Sequence, residues 1–168
     1  MAIPVLDEQC QCDVVAQSAY GIVEDDEVVV RILTDSHFNG AKLQTSAFKL
    51  TDIIADGVSM SRLRMMDVAE FQAVAEDIRR LADAVEVKGA FAIQAAALRA
   101  LRDENGNRTL CLFDDPVISH PGERDNPAHC MAVSPNRIER ADAQEIRFHL
   151  MTIFREARYL HELWELAA

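Results

Sequence analysis

The sequence predicts an α+β domain, a small mixed or antiparallel sheet of about four or five strands packed by two main amphipathic helices, the second of them long and C-terminal. Three observations carry that prediction. Residues 27–33 are nearly continuous β-branched text, residues 68–85 repeat apolar side chains every three or four positions, and residues 146–164 do so again towards the end of the chain. Strand-like runs interleaved with helical periodicity over 168 residues read as one globular domain spanning 1–168. A chain of this size buries enough surface to hold a core without disulfides or metals.

Taken in order, residues 1–13 are expected to be loosely ordered, while Val14 to Tyr20 are apolar enough to dock. The acidic cluster Glu24-Asp25-Asp26-Glu27 reads as a turn before the first strand. Val28, Val29, Val30, Ile32 and Leu33 then form the pattern of a strand covered on both faces, which is expected to be central. Asn39-Gly40 marks a tight turn, and residues 42–50 continue in a weaker β pattern.

Asp67 followed by Glu70 is a capping-box start, and Val68, Phe71, Val74, Ile78, Leu81 and Val85 give the helix one apolar face. Lys88-Gly89 is its expected stop, a cation near the negative helix pole followed by a residue at ease in the left-handed region. Residues 90–94 read as a short strand passing into a helix over 95–102, with Asn105-Gly106-Asn107 as the turn beyond it. Residues 109–113 form a strand, residues 114–126 a proline-containing surface loop, and residues 129–133 another short strand. Ser134-Pro135 offers a helix start, and Asp142 with Glu145 a second one. The C-terminal helix is expected over 142–166, its seam formed by Ile146, Leu150, Ile153, Ala157, Leu160 and Trp164.

Charge narrows the function. The formal net charge is −11, and seven of the excess acids fall within residues 1–30, which contain no Lys or Arg. Such a chain repels polyanions, so non-specific nucleic-acid binding is not expected. No apolar run approaches the ~18 residues of a spanning helix, and the N-terminus has neither the basic start nor the apolar stretch of a signal peptide. The expectation is a soluble, cytoplasmic protein with no membrane association. The four cysteines, Cys10, Cys12, Cys111 and Cys130, are accordingly expected as free thiols, with Cys111 and Cys130 buried. One C-x-C and a scattered remainder lack the paired spacing of a zinc site, and neither a metal nor a cofactor is expected.

Only residues 31–64 carry a positive balance, with Arg31, Lys42, Lys49, Arg62 and Arg64 against Asp35, Asp52 and Asp56. Arg31, emerging from the first strand, and Arg62 are the candidate ligand-binding residues, because a fixed guanidinium clamps a carboxylate or phosphate through two parallel hydrogen bonds. Ser46, Ser59 and Ser61 bring hydroxyls to the same segment. His129, opening a strand after the polar loop, is the candidate acid or base, and Ser46 its candidate companion. A Ser46, His129 and acid arrangement is conceivable, although no G-x-S-x-G elbow exposes the serine. Nucleotide and metalloprotease signatures are missing.

Arg31 in its β run, Ser46-Ala47-Phe48, the stretch from Gly57 to Arg62 and Asn126-Pro127-Ala128-His129 together resemble a small family of bacterial proteins associated with genome-defence and conflict loci. The likeness covers roughly residues 28–133. It implies that Arg31, Ser46, Arg62 and His129 share one surface, and it transfers no activity. The long C-terminal helix and acidic N-terminal stretch lie outside the pattern and suit a particular partner.

Two functions follow as expectations. The first is a non-enzymatic interaction protein, an accessory component of a bacterial complex that the resemblance links to defence. It would dock through its acidic N-terminal segment and its apolar C-terminal helix, with Ile153, Leu160 and Trp164 meeting another protein or a second copy. The alternative is a small enzyme or nucleotide-binding module in which Arg31 and Arg62 hold an anionic ligand while His129 and Ser46 act on it.

Overall fold

Five antiparallel strands form the sheet at the centre of the computed structural model, which describes residues 10, 14–122, 124–135 and 138–154. In chain order the elements are β1 (Val28–Thr34), β2 (Phe38–Asn39), β3 (Lys42–Leu43), β4 (Val58–Arg62), α1 (Val68–Leu81), β5 (Val87–Gln94), α2 (Ala95–Arg99), β6 (Cys111–Asp114), β7 (His129–Val133) and α3 (Arg140–Ile153). The sheet order is β5-β1-β4-β7-β6, and β2 and β3 form a separate hairpin around Gly40. The α+β class and the antiparallel five-stranded sheet agree with the sequence reading. The middle strand, however, is β4. The run at 27–33 becomes the interior strand beside it, which satisfies the same need for cover on both faces.

Alternate residues of β1 serve two cores. Val30 and Ile32 join Phe71, Val74 and Ala75 of α1 on one face of the sheet. On the other, Val29 and Leu33 join Val58, Met60, Phe91, Ala95 and Leu98 and the α3 residues Ala143, Ile146 and Leu150. Phe48, Phe91 and Phe154 close this second core as a three-ring cluster, with centroids 5.2–6.2 Å apart. Helices therefore cover both faces, α1 on one and α2 with α3 on the other.

Several boundaries differ from the expectation. The Asp67 capping box starts α1 as read, with Glu70 N–H donating to Asp67 Oδ1 at 2.8 Å. The helix stops at Leu81, not near Gly89, because Asp83 takes the left-handed position (φ 50°) and the Asp83 and Ala84 N–H groups bond back to the Arg80 and Arg79 carbonyls. Val85 is consequently 80% exposed, and residues 87 onward pair with β1. The β pattern at 42–50 ends at Leu43, giving way to a 3-10 turn over Thr45–Ala47. α3 begins at Arg140 with Glu139 as its cap, beyond Ser134-Pro135. Its expected continuation to 166, with Leu160 and Trp164, lies outside the described residues, as do residues 1–13 apart from Cys10.

The free-thiol expectation is corrected for two of the four cysteines. Cys10 and Cys111 form a disulfide that ties the N-terminal segment to β6, while Cys130 is a free, buried thiol. Desolvation holds the Cys130 thiol well above its ordinary pKa, so it behaves as a small hydrophobe. Among the described residues, no helix is long and apolar enough to cross a membrane.

Candidate functional site

A cavity opens where β1 and β4 part company. Their register covers Val29 with Arg62 and Val30 with Ser61, and beyond it β4 continues along β7 only, from Val58 opposite Ala132 to Met60 opposite Cys130, while Ser61 lies opposite His129 as well. Gly57 makes the entry to β4 possible. Its φ of +83° suits only glycine, and a Cβ there would collide with the Met131 side chain and come within 2.8 Å of Val133 Cγ1.

Arg31 fills the gap between the diverging strands. Its Nε donates to Ala47 O (2.7 Å), one terminal nitrogen to Ser59 O (2.9 Å), and the other to Asp52 Oδ2 (3.4 Å). The guanidinium also stacks over Phe48 at 5.3 Å. Burial lowers its pKa from the usual arginine value and Asp52 partly restores it. Since its three nitrogens are spent on the protein, Arg31 shapes the site and does not grip a ligand with a free fork.

Above the gap lies a cavity of about 310 Å³ between α1 and the sheet. Val30, Ile32, Val74 and Ile78 form its apolar floor, and Val117 of the loop at 115–126 contributes to a wall. Its charged lining comprises Arg31, Lys49, Arg80 and Arg124 against Asp52 and Asp77, an excess of two positive charges in a chain whose net charge is −11. Asp77 pairs with Arg80 (3.7 Å) and Arg124 (3.3 Å), and Asp52 with Arg31. No described residue pairs with the exposed Lys49 ammonium. His37 completes this side of the cavity. Desolvation, then the charges of Arg31 and Lys49, push its imidazole down to about 4. The ring is therefore neutral at pH 7, with Nδ1 accepting from Thr34 N–H (3.1 Å) and the proton on Nε2.

A polar relay stands on the cavity side of β4 and β7. Ser59 Oγ lies 2.6 Å from His129 Nε2, and His129 Nδ1 lies 2.6 Å from Asp115 O and 3.3 Å from Asp115 Oδ2. A carbonyl oxygen only accepts, so Nδ1 carries a proton, and Nε2, when it carries none, accepts from the Ser59 hydroxyl. Ser59 and His129 both line the cavity, and Ser59 is exposed there while His129 is largely buried. The loop secures this arrangement through the bridge between Val117 and Asn126 and the His129 N–H bond to Asn126 O (3.2 Å).

The four residues singled out by sequence do not converge. Arg31 and His129 line the cavity. Ser46 does not line it; its hydroxyl donates to Ser36 O at 3.1 Å. Arg62 is wholly buried elsewhere, its Nε and one terminal nitrogen holding Glu27 (2.9 and 2.8 Å) while its terminal nitrogens also donate to the carbonyls of Tyr20, Gly21 and Ile22. The residue the sequence reading passed over is Ser59 as the partner of His129. The available signal was the alternation in Val58-Ser59-Met60-Ser61, apolar side chains to one face and hydroxyls to the other. Among the described residues, no group of three His, Cys, Asp or Glu could hold a metal ion.

On α3, Ile146, Leu150 and Phe154 are buried, whereas Ile153 is 39% exposed and Phe148 68% exposed. No family model, curated protein or solved structure matches this chain.

Proposed function

We propose that this chain binds a small amphipathic anion in the cavity between α1 and the sheet. The carrying observation is the cationic lining over an apolar floor, in a protein that is otherwise strongly acidic. Pockets of this kind, mostly apolar with a few convergent polar groups, are where small ligands bind. The reading corresponds to the ligand-binding alternative, with Lys49, Ser59 and His129 facing the ligand and Arg31 holding the walls. Octanoate is the first probe, with inorganic phosphate to separate charge from amphipathicity. Octanoate at a hundred times its Kd is expected to stabilise the fold by about 2.7 kcal/mol in a thermal-shift titration. Lys49→Ala should weaken it roughly ten-fold, about 1.4 kcal/mol. Absence of a saturable shift with octanoate removes the proposal.

A second reading keeps a docking role for α3, because Phe148 and Ile153 stay exposed on a helix whose opposite face is covered. On the resemblance drawn above, the assembly would be a bacterial one linked to defence loci. If a second copy covers this face, light scattering will report a dimer and Phe148→Asp will dissociate it; a protein that stays monomeric as its concentration rises excludes self-docking. As for compartment, the Cys10–Cys111 bond supports oxidising surroundings better than the reducing cytoplasm.

A further inference from the structure

We propose that Ser59 is an acyl-accepting nucleophile, activated by His129, and that the chain hydrolyses small esters whose acyl or alcohol part carries a negative charge. The inference rests on the cavity reading above for access and charge preference, and adds a reaction to it.

Serine hydroxyls are poor nucleophiles unless a base stands within hydrogen-bond reach and is itself held by a third group. Ser59 meets both conditions, with 2.6 Å to Nε2 on one side of the imidazole and 2.6 Å from Nδ1 to Asp115 O on the other. The main-chain oxygen fixes the tautomer, and the Asp115 carboxylate at 3.3 Å faces the imidazolium that forms when the proton arrives. Ser59 does not sit on a strand-to-helix elbow. It gains exposure from the separation of β1 and β4, and Arg31 fastens its main chain by bonding Ser59 O.

In the reaction, Ser59 Oγ bonds to the ester carbonyl carbon while its proton passes to His129 Nε2. The carbon–oxygen bond to the alcohol then breaks, and Nε2 returns the proton to the departing oxygen. Water, giving a proton to the same nitrogen, attacks the acyl-serine and releases the acid, and Ser59 recovers its hydrogen. Ester and water become acid and alcohol, with no oxidant or other co-reactant. Lys49, on the cavity lining and unpaired by any described residue, supplies positive charge for the oxyanion or the substrate's anionic group.

The experiment uses the full chain, a fluorophosphonate that captures activated serines, and the half-ester monoethyl succinate as substrate. Intact-mass and peptide analysis are expected to find one phosphonate on Ser59. Ser59→Ala should abolish labelling and turnover, His129→Gln should slow both by 10²–10⁴-fold, and Ser46→Ala, outside the cavity, should leave both intact. Octanoate titration of every variant shows whether the cavity survives the substitution. Octanoate binding to an unlabelled, inactive wild-type protein overturns the nucleophile and leaves the binding reading standing. Labelling at Ser59 with turnover but no octanoate binding overturns the binding reading alone. Labelling at another serine, or labelling unaffected by His129→Gln, also overturns the nucleophile assignment.

Discussion

Arg62→Ala is expected to destabilise the fold by about 3–5 kcal/mol, the range for breaking a buried ion pair by removing one partner. Glu27 Oε1 accepts from Arg62 and from Arg64, each at 2.8 Å, but Arg62 is wholly buried whereas the Arg64 side chain is half exposed. Losing Arg62 also strips donors from the Tyr20, Gly21 and Ile22 carbonyls, which anchor the N-terminal segment to β4. Burial alone would pull the Arg62 pKa down; its bonds and charge interaction with Glu27 more than reverse that, leaving it above the ordinary value. Arg64→Ala removes an equally short contact to the same oxygen, yet it should cost less than about 1 kcal/mol, because solvent screens the exposed cation. Urea unfolding of the two variants checks this. Equal losses would show that burial and the three carbonyls contribute nothing beyond the ion pair. Arg62→Lys should restore little, since one ammonium cannot reproduce a fork that serves a carboxylate and three carbonyls.

The contrast between Arg31 and Arg62 shows where sequence reasoning reaches and where it stops. Arg31 sits within a continuous apolar run and Arg62 at the end of an alternating one, and neither pattern reveals what the guanidinium meets. What separates them is tertiary: Glu27 lies 35 residues from Arg62, and the carbonyls bonded by Arg31 belong to Ala47 and Ser59. Elements held by local pattern were legible, as with the β-branched run of β1 and the Asp67 capping box. The end of α1 was hidden because Asp83, a residue that tolerates the left-handed region less well than glycine, does the capping. His129 at a strand start was legible as a reactive candidate, but its companion depended on strand pairing. The β4–β7 register sets Ser61 beside His129 and Ser59 within reach of its ring, whereas Ser46 sits on a turn bonded to Ser36.

The disulfide makes the same point at longer range and carries the second large effect. Cys10 and Cys111 are 101 residues apart, too far for any local pattern to pair them. Closing so long a loop restricts the unfolded chain more than the folded one, and the chain-entropy model gives about 4.7 kcal/mol for a loop of ~100 residues. Native disulfides in small domains deliver about 2–5 kcal/mol. Reduction is therefore expected to lower the unfolding free energy by an amount within that range, read as a lower urea midpoint. The contacts of the N-terminal segment are expected to persist in the reduced fold, because Gln17 N–H to Asp114 Oδ1 (2.8 Å) and the Arg62 bonds do not depend on sulfur. Cys111→Ala should show the lowered stability without reductant and lose most of the response to it. If the wild-type midpoint is the same with and without reductant, the link holds no part of the fold. If Cys111→Ala responds to reductant as fully as wild type, the stabilising bond does not involve Cys111. Because the loss arises in the unfolded ensemble, it should appear mainly as a lower midpoint, with a larger m-value as the released chain exposes more surface.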